Sequence, residues 1–560
     1  MSVRKLLIVG WDAAEPSVVE PLVAKGELPN LAALRERGAH GTIASTVPPT
    51  SLPAWTTAMT GLDPGKHGVT DFVQREPGAY RLKLVSSADR RAELLPAIAG
   101  RAGLRVAHLG LPGSYPPEPL PGVCIAGTDT PAGKFAPVSA HYPPALASEL
   151  KQAGLRWPYG GADELSVGPG WHSRARRALL EGLERRQEVT QALLAREPWD
   201  LFFVHFSEAD TAGHHFWAFH DPQSPRHRDQ PEVADTLLAV YRALDRALGR
   251  LLTQVEEQAA VIVVSDHGAG GSSDQVVYPN RWLADQGWLR FGGSRGPAAR
   301  AAGLVRDAAI RLVPARAKEY LMRTPAARLA LAADGLARFG GIDLPETRAF
   351  CDELPQNPGI WIHLRGRDPQ GRVEPGEEYE ALREQIAEQL LEWQDPQSGR
   401  KVVRKVRKRE EAFQGPLAER APDLLLELEL WDGYKVLAAQ SNGKPGPLIR
   451  RLSREEQIGA KGTGTSGVHR PDGIIAAAGP SVRTGGRIRM ARLADLFPTA
   501  LALLGLDLPE GLDGRVIPEI ARKPKGVKAA GKSVAKAGKD VYSDAEETAI
   551  KKRLESLGYL

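Results

Sequence analysis

The chain has 560 residues, of which 42% are hydrophobic and 25% charged, which is the profile of a globular protein and excludes a disordered or fibrous one. Its two cysteines, Cys124 and Cys351, lie far apart, indicate no metal motif and fit a reducing compartment. No stretch approaches the roughly 18 apolar residues of a spanning helix, and the apolar run at residues 6–10 is too short for a signal peptide. We therefore predict a cytoplasmic protein without a transmembrane segment.

The net charge of +5 comes from one segment near the C-terminus. Residues 521–540 contain seven Lys or Arg and one Asp, a net charge of +6, so the rest of the chain is close to −1. Such a composition is typical of a solvated linker, with contact to an anionic surface as the alternative. We expect no specific nucleic-acid partner.

Along the first half of the chain, apolar runs alternate with helical periodicity. Five runs predict buried strands: residues 5–10, 103–112, 122–129, 199–210 and 259–268. Apolar residues at helical spacing predict helices over 17–38 and 234–258. This alternation favours an α/β fold, with a mostly parallel sheet sandwiched by helices.

The second half is interrupted by an Arg- and Ala-rich segment without strand signals. Strands return at residues 359–368 and 423–430, and helices are predicted over 377–395 and 494–517. We predict a catalytic core of residues 1–290 and 346–520, with an inserted helical cap at 291–345. A basic flexible linker at 521–542 then leads to a C-terminal helix at 543–560. That helix, with Ser543 and Glu546 as a capping box, is expected to dock on the core.

Side chains that bind hard or borderline metal ions follow the predicted strands or Gly-rich turns at five places. They are Asp12, Ser51, Asp210 with His214, Asp266 with His267, and His469. Taken singly, each is weak evidence, because an Asp after a strand is usually a helix cap. In parallel sheets, however, functional residues gather at the carboxyl ends of strands. The whole set therefore predicts a site.

With these motifs the chain resembles the alkaline phosphatase superfamily. The likeness is greatest to its type I phosphodiesterase/nucleotide pyrophosphatase branch and to a bacterial group of predicted phosphohydrolases and phosphomutases. The segments that carry it are residues 10–69, "DTAGHH" at 210–215, "VVSDHG" at 263–268 and "SGVHRPDGIIAAAGP" at 466–480. The resemblance implies an alkaline-phosphatase-like core that holds two divalent metal ions, zinc or manganese.

The same resemblance implies which side chains hold the two ions. One ion would be held by Asp210, His214 and His469, and the other by Asp12, Asp266 and His267, with Ser51 completing it. The register of "TSLPAW" against the family's Thr/Ser-x-Pro pattern favours Ser51 over Thr50 as the nucleophile. Apart from the resemblance, Ser51 would be interpreted as a plain helix N-cap.

Two ions roughly 4 Å apart suit phosphoryl transfer, because they clamp the attacking and leaving oxygens and activate a serine hydroxyl. The sequence therefore predicts a phosphohydrolase that acts on a small phosphodiester, pyrophosphate or monoester through a phosphorylated Ser51. A phosphotransferase or phosphomutase with the same site is the alternative, and a non-catalytic relative is a third interpretation.

One expected substrate contact is missing from the sequence. Nucleotide pyrophosphatases carry an Asn that binds a phosphate oxygen after a His-Gly-Ile-x-Asp turn, and Phe72 stands at that position in this chain. Arg75, Asn280 and Arg281 are the candidates to replace it. The departure weakens the case for nucleotide diesters in particular.

Overall fold

The computed structural model describes most of the chain between residues 5 and 522. The residues left out of that range are 77, 81, 128, 132–137, 160–169, 256, 258, 293–338, 340, 459–461 and 481. Beyond it, residues 542, 547, 550, 551 and 554 are described. Most of the predicted cap at 291–345 and of the predicted linker at 521–542 therefore lies outside the described residues.

Strands occur in both halves of the chain. In chain order they are β1 Leu6–Trp11, β2 Ala39–Ala44, β3 Val73–Arg75, β4 Leu82–Leu84, β5 Val106–Leu111, β6 Gly122–Ala126, β7 His141–Tyr142, β8 Leu201–Phe206, β9 Ala260–Val264, β10 Gly268–Val277, β11 Ala349–Cys351, β12 Gly359–Ile362, β13 Val403–Lys408, β14 Leu424–Leu428, β15 Leu430–Trp431, β16 Tyr434–Ala438, β17 Ile449–Arg451, β18 Gly467–Arg470, β19 Asp472–Ala478 and β20 Gly486–Arg492. All five strands predicted in the first half are present.

The helices follow the predicted periodicity, with shorter bounds. They are α1 Pro16–Ala24, α2 Pro29–Arg37, α3 Ser51–Thr60, α4 Pro64–His67, α5 Leu95–Arg101, α6 Ala145–Gln152, α7 Trp171–Arg196, α8 Glu208–His220, α9 Pro231–Ala234, α10 Thr236–Leu252, α11 Pro279–Asp285, α12 Glu377–Glu392, α13 Arg409–Ala412 and α14 Leu496–Leu504. The helix predicted over 17–38 is two helices, because the chain turns at Gly26, which has φ of 72°, and Pro29 starts the second. None of the helices among the described residues is both long and apolar enough to cross a membrane.

A nine-stranded sheet forms the centre of the molecule, in the order β20-β2-β19-β9-β1-β8-β5-β6-β7. Strand β1 is parallel to β8 and β9, β5 is parallel to β6 and β8, and β2 is parallel to β20. Strand β19 is antiparallel to both its neighbours, and β7 is antiparallel to β6. The predicted α/β class with a mostly parallel sheet is confirmed.

Helices cover both faces of this sheet, and the alternation of side chains along β1 shows it. Leu7 and Val9 pack into a cluster with α1, α2, α7, α8 and α10. Leu6 and Ile8 point to the other face and pack with α3, α5 and α14. Because β1 is buried on both faces, it is apolar throughout rather than alternating.

The strands restored in the second half do not extend the central sheet. Strands β11, β12, β14 and β13 form a separate four-stranded sheet, whose hydrophobic core includes apolar residues of α12. A third sheet contains β15, β16, β10 and β17, and β18 pairs antiparallel with β10. The pairing of β18 with β10 brings a late segment of the chain back to the end of β9.

Candidate active site

The carboxyl ends of three neighbouring strands create the site. In the parallel register, Trp11 of β1 lies opposite Phe206 of β8, and Gly10 lies opposite Val264 of β9. The chain leaves all three strands at one edge of the sheet, so the polar residues that follow are delivered to one place. The seven predicted residues Asp12, Ser51, Asp210, His214, Asp266, His267 and His469 are all buried there.

Helix α8 starts just after β8 and carries two of the predicted residues, Asp210 and His214. Asp210 and His214 are one turn apart and face the same way, with 3.2 Å between Asp210 Oδ1 and His214 Nε2. His469 of β18 joins them, because its Nε2 lies 3.4 Å from Asp210 Oδ1 and 3.1 Å from His214 Nε2. We call Asp210, His214 and His469 the first group.

The second group lies where β1 and β9 end. His267 Nε2 is 3.2 Å from Asp266 Oδ2 and 3.7 Å from Asp12 Oδ1. Ser51 Oγ lies 3.0 Å from His267 Nε2 and 3.4 Å from Asp12 Oδ1. We call Asp12, Asp266 and His267 the second group, with Ser51 beside it.

The two groups are adjacent. The rings of His267 and His469 stack with their centroids 3.8 Å apart. The ligand atoms of Asp12, Asp266 and His267 lie within 4.8 Å of one another, and so do those of Asp210, His267 and His469. His267 therefore belongs to both compact sets, and two neighbouring cations would lie on either side of the His267 imidazole.

All three imidazoles are oriented by the backbone. The Nδ1 atoms of His214, His267 and His469 lie 2.9, 3.0 and 2.7 Å from the carbonyl oxygens of Gly467, Gly268 and Pro49. A carbonyl oxygen only accepts, so each Nδ1 must carry the proton and donate it. This leaves every Nε2 directed into the cluster, as in histidines that bind metal through Nε2.

The electrostatics of the cluster favour cations. Burial, together with the charge of Asp12, raises the pKa of Asp266 well above its ordinary value. Burial alone would raise the pKa of Asp210, but His214 and His469 hold it well below its usual range. Burial lowers the pKa of His267, and burial together with His267 lowers the pKa of His469 to about 3. Both of these imidazoles are neutral at pH 7, the form that binds metal.

The donor set fits hard or borderline divalent ions. Three buried carboxylates lie together without a Lys or Arg among the seven residues, an arrangement that is costly unless a cation compensates it. Asp266 Oδ2 is buried and accepts no hydrogen bond in the described part of the chain. Oxygen and imidazole ligands without sulfur suit zinc or manganese better than soft ions.

Ser51 occupies the first turn of α3. It is not the N-cap of that helix, although its sequence context alone would have been interpreted as an N-cap. The N-cap position is Thr50, whose side chain makes no capping hydrogen bond. The Oγ of Ser51 is thus turned toward the second group, while the N-terminal N–H groups of α3 lie beside it. A helix N-terminus of this kind favours a phosphate oxygen.

The three predicted substrate residues have different surroundings. Asn280 is buried and exchanges hydrogen bonds with the backbone of Cys351, donating through Nδ2 and accepting through Oδ1. Arg281 donates to the carbonyl oxygens of Lys444 and Pro447. These contacts place both side chains in the packing of the smaller sheets rather than among the seven residues.

Arg75 lies elsewhere, in the wall of a small cleft. The cleft is lined in part by Pro48, Thr70, Asp71, Arg75, Asp352 and Trp361. Pro48 in this lining precedes Pro49, whose carbonyl oxygen accepts a hydrogen bond from His469 Nδ1. Arg75 forms an ion pair with Asp368, and its Nη1 has no hydrogen-bond partner among the described residues.

Sequence reasoning missed two residues that touch the cluster. His205 in β8 and Trp55 in α3 both contact Asp12, with His205 Nε2 2.7 Å and Trp55 Nε1 3.3 Å from Asp12 Oδ2. The signal that could have revealed His205 is a single imidazole inside the otherwise apolar strand "LFFVHF". Trp55 gave no comparable signal, because a Trp in a buried helix is ordinary core.

Comparison with known proteins agrees with this architecture. The sequence profile described as type I phosphodiesterase/nucleotide pyrophosphatase matches residues 6–462. The chain belongs to this family and is a hydrolase of phosphoric ester bonds. The matched range ends before His469.

Solved structures share the fold at low sequence identity. An inactive variant of murine ectonucleotide pyrophosphatase/phosphodiesterase 5 in complex with AMP superposes with a TM-score of 0.50 at 14% identity, covering 93% of this chain and 100% of that one. The human protein of the same name gives a TM-score of 0.48 at 14% identity, covering 92% and 100%. No curated protein matches the chain.

Proposed function

We propose that the protein is a metal-dependent phosphohydrolase that cleaves a phosphodiester, pyrophosphate or monoester through a phosphorylated Ser51. The observation that carries the proposal is the orientation of His214, His267 and His469. Each donates Nδ1–H to a carbonyl oxygen and directs Nε2 toward buried carboxylates. Purely structural histidines have no reason to share this arrangement.

The donor set divides between two divalent cations, zinc or manganese. Asp210, His214 and His469 would hold one, and Asp12, Asp266 and His267 the other, with Ser51 next to it. When bound, such ions lower the pKa of a hydroxyl group and neutralise charge on phosphoryl oxygens.

The protein's own groups position the reaction. Ser51 Oγ is held at the start of α3, where it is directed at the cluster and can attack phosphorus in line. The N-terminal amides of α3 orient a phosphoryl oxygen. The phosphorus–oxygen bond to the leaving group breaks as the bond to Oγ forms, and water then cleaves the phosphoserine ester and restores the hydroxyl.

Arg75 is the proposed contact to a further anionic group of the substrate. It lines a cleft that also contains Pro48, the neighbour of the Pro49 that contacts His469, and its Nη1 has no partner among the described residues. Phe72 replaces the Asn of nucleotide pyrophosphatases and cannot donate, so a donor from the cleft would take over that task. Asn280 and Arg281 already use their polar groups on backbone partners and are not carried into the proposed site.

The decisive variant is Ser51→Ala. We expect hydrolysis of bis(p-nitrophenyl) phosphate and of p-nitrophenyl phosphate to fall by at least about a thousandfold, since the nucleophile is lost. Bound zinc or manganese, measured by elemental analysis, should be retained because the six other ligands remain. An adenosine phosphodiester joins the substrate panel because the murine relative was solved with AMP.

Thr50→Val is the matched control, since it removes the neighbouring hydroxyl, which makes no capping hydrogen bond. It should hydrolyse the same esters at close to the wild-type rate. A Ser51→Ala protein with wild-type turnover would remove Ser51 as the nucleophile, and loss of activity in Thr50→Val alone would transfer that role to Thr50. A labelled phosphate donor supplied with an alcohol acceptor separates hydrolysis from transfer to a hydroxyl group.

A further inference from the structure

The Asp12 carboxylate is held by two donors that lie outside the ligand set. His205 Nε2 lies 2.7 Å from Asp12 Oδ2, and Trp55 Nε1 lies 3.3 Å from the same oxygen. Indole N–H groups only donate and an ionised carboxylate only accepts, so Trp55 and His205 are the donors and Asp12 Oδ2 is the acceptor in both hydrogen bonds. His205 is fully buried, with an exposed fraction of 0%.

The two oxygens of Asp12 therefore have different surroundings. Oδ2 is occupied by His205 and Trp55, whereas Oδ1 lies 3.4 Å from Ser51 Oγ and 3.7 Å from His267 Nε2. A carboxylate fixed through one oxygen presents the other in a single orientation, which lowers the entropy cost of binding a cation.

The donors are themselves packed so that they cannot turn away. The rings of Trp55 and His205 meet edge to face, with centroids 5.1 Å apart, and Trp55 also meets Phe203. A side-chain carbon at Gly10 would lie 2.7 Å from the Trp55 ring, so the absence of one lets the indole close over β1.

We propose that His205 is a positioning residue that orients Asp12 for the cation of the second group, an inference that rests on the proposed two-cation site. His205 contacts none of the reacting atoms. It acts through the hydrogen bond from Nε2–H to Asp12 Oδ2, which keeps Oδ1 directed at Ser51 and His267. Neutral His205 in this tautomer is sufficient, so no change of its charge is required.

The test compares His205→Leu with His205→Gln in the full chain. Isothermal titration of the chelator-treated protein with Mn²⁺, and competition of a chelator for Zn²⁺, measure the dissociation constants of the two cation sites. His205→Leu should raise the dissociation constant of one site by about 10- to 100-fold and leave that of the other site within about twofold of wild type. His205→Gln keeps an N–H donor at the place of Nε2 and should restore most of that loss.

His108→Leu is the matched control. His108 is a buried histidine in the neighbouring strand β5, where it contacts Cys124 rather than a proposed ligand. It reports what the loss of a buried imidazole does to stability in general, and both cation affinities should remain at wild-type values. Thermal unfolding of the metal-free proteins shows whether His205→Leu and His108→Leu are folded to the same extent.

Unchanged affinity for both cations in His205→Leu, or a His205→Gln protein no better than His205→Leu, would overturn the positioning role. Should the Leu variant fail to fold, His205→Asn replaces it, because the shorter amide cannot reach Asp12. Equal affinities of the Asn and Gln variants would then contradict the proposal. A wild-type protein that binds neither cation would instead refute the proposed function, so the two failures are distinguishable.

Discussion

At the scale of single residues, equally buried histidines have different roles, and the partners of their two ring nitrogens distinguish a structural histidine from a proposed metal ligand. His67 is buried like the three proposed ligands, but both its nitrogens are engaged locally. Its Nδ1 accepts from the Val69 amide at 3.2 Å, so Nε2 carries the proton and donates to Thr57 Oγ1 at 2.9 Å. His67 therefore fixes the Gly-rich turn after α4.

This histidine makes folding stability depend on pH. Burial, with the nearby charge of Arg90, lowers the pKa of His67 to about 3, whereas an unfolded His titrates at about 6.5. The unfolded chain binds this proton below pH 6.5 and the folded chain does not, so stability is full above that pH and falls as the pH drops toward 3.

We expect His67→Gln to reduce the slope of unfolding free energy against pH between 6 and 5 by about 1 kcal/mol per pH unit. Urea unfolding at several pH values, with a chelator present throughout, measures it. The chelator keeps loss of a bound cation from adding to the slope. Parallel slopes for the two proteins would show that His67 is not the group responsible.

At the scale of secondary structure, the site depends on how closely β18 approaches α8. The carbonyl of Gly467 accepts from His214, and a side-chain carbon at Gly467 would overlap the carbonyl oxygen of Gly213. Only glycine allows this approach. It brings His214 of the helix and His469 of the strand together, with their Nε2 atoms 3.1 Å apart.

Gly467→Ala should therefore force β18 away from α8. We expect a loss of about 2–3 kcal/mol in the free energy of unfolding, measured by urea unfolding. The affinity of the first group for its cation should fall at least about tenfold, measured by metal titration. Gly182→Ala in α7 is the comparison, because no atom lies within 4 Å of the added carbon. That change should stabilise the helix by about 0.5–1 kcal/mol. A Gly467→Ala protein with native stability would mean that the contact is not tight.

Predictability from sequence differed between the strands. Strands buried on both faces, such as β1, β8 and β9, were predicted because their apolar runs are continuous. Strands β2 and β20 were missed, because "AHGTIA" and "GRIRMAR" are interrupted by glycine and polar residues and have no continuous apolar run, although the two strands pair with each other in the central sheet. Sequence also did not show that β11 to β14 form their own sheet, since pairing partners are not encoded locally.

The site was predictable to a similar extent. The seven residues were found because each is a metal-binding type at a strand end or turn and because their order matches a family. The support from His205 and Trp55 was not predictable, since it depends on distances between α3, β1 and β8. Asn280 was a reasonable candidate from its place after β10, yet its amide pairs with β11. Local sequence identified candidate polar side chains, but tertiary packing determined which groups each of them contacts.

At the scale of the whole molecule, the end of the chain returns to the catalytic half. Ile550 and Leu554 are buried with Leu52 and Phe72, and Tyr542 stacks on Tyr115 with centroids 5.6 Å apart. The described residues near the end of the chain therefore contact residues of its first half. The predicted division into core, cap, linker and C-terminal helix stays a prediction, as do the cytoplasmic location and any contact of the basic tail.

Leu554→Ser should release this C-terminal segment. Burial of a Leu side chain is worth about 1.5–3 kcal/mol, and the exposed patch around Leu52 should then bind an apolar fluorescent dye. Glu547→Ala is the control, since Glu547 forms an ion pair with Lys551 in the same segment and should bind no additional dye. Equal dye binding by wild type and Leu554→Ser would show that the segment does not cover the patch.

The position of Leu554 has a consequence for biosynthesis. Leu52, which directly follows the proposed nucleophile, is made early, whereas Ile550 and Leu554, which cover it, are made much later. Every nascent chain therefore carries an uncovered apolar surface around Leu52 until Ile550 and Leu554 have been made. A premature stop shortly before Ile550 would leave that surface uncovered, even though every proposed metal ligand had already been made.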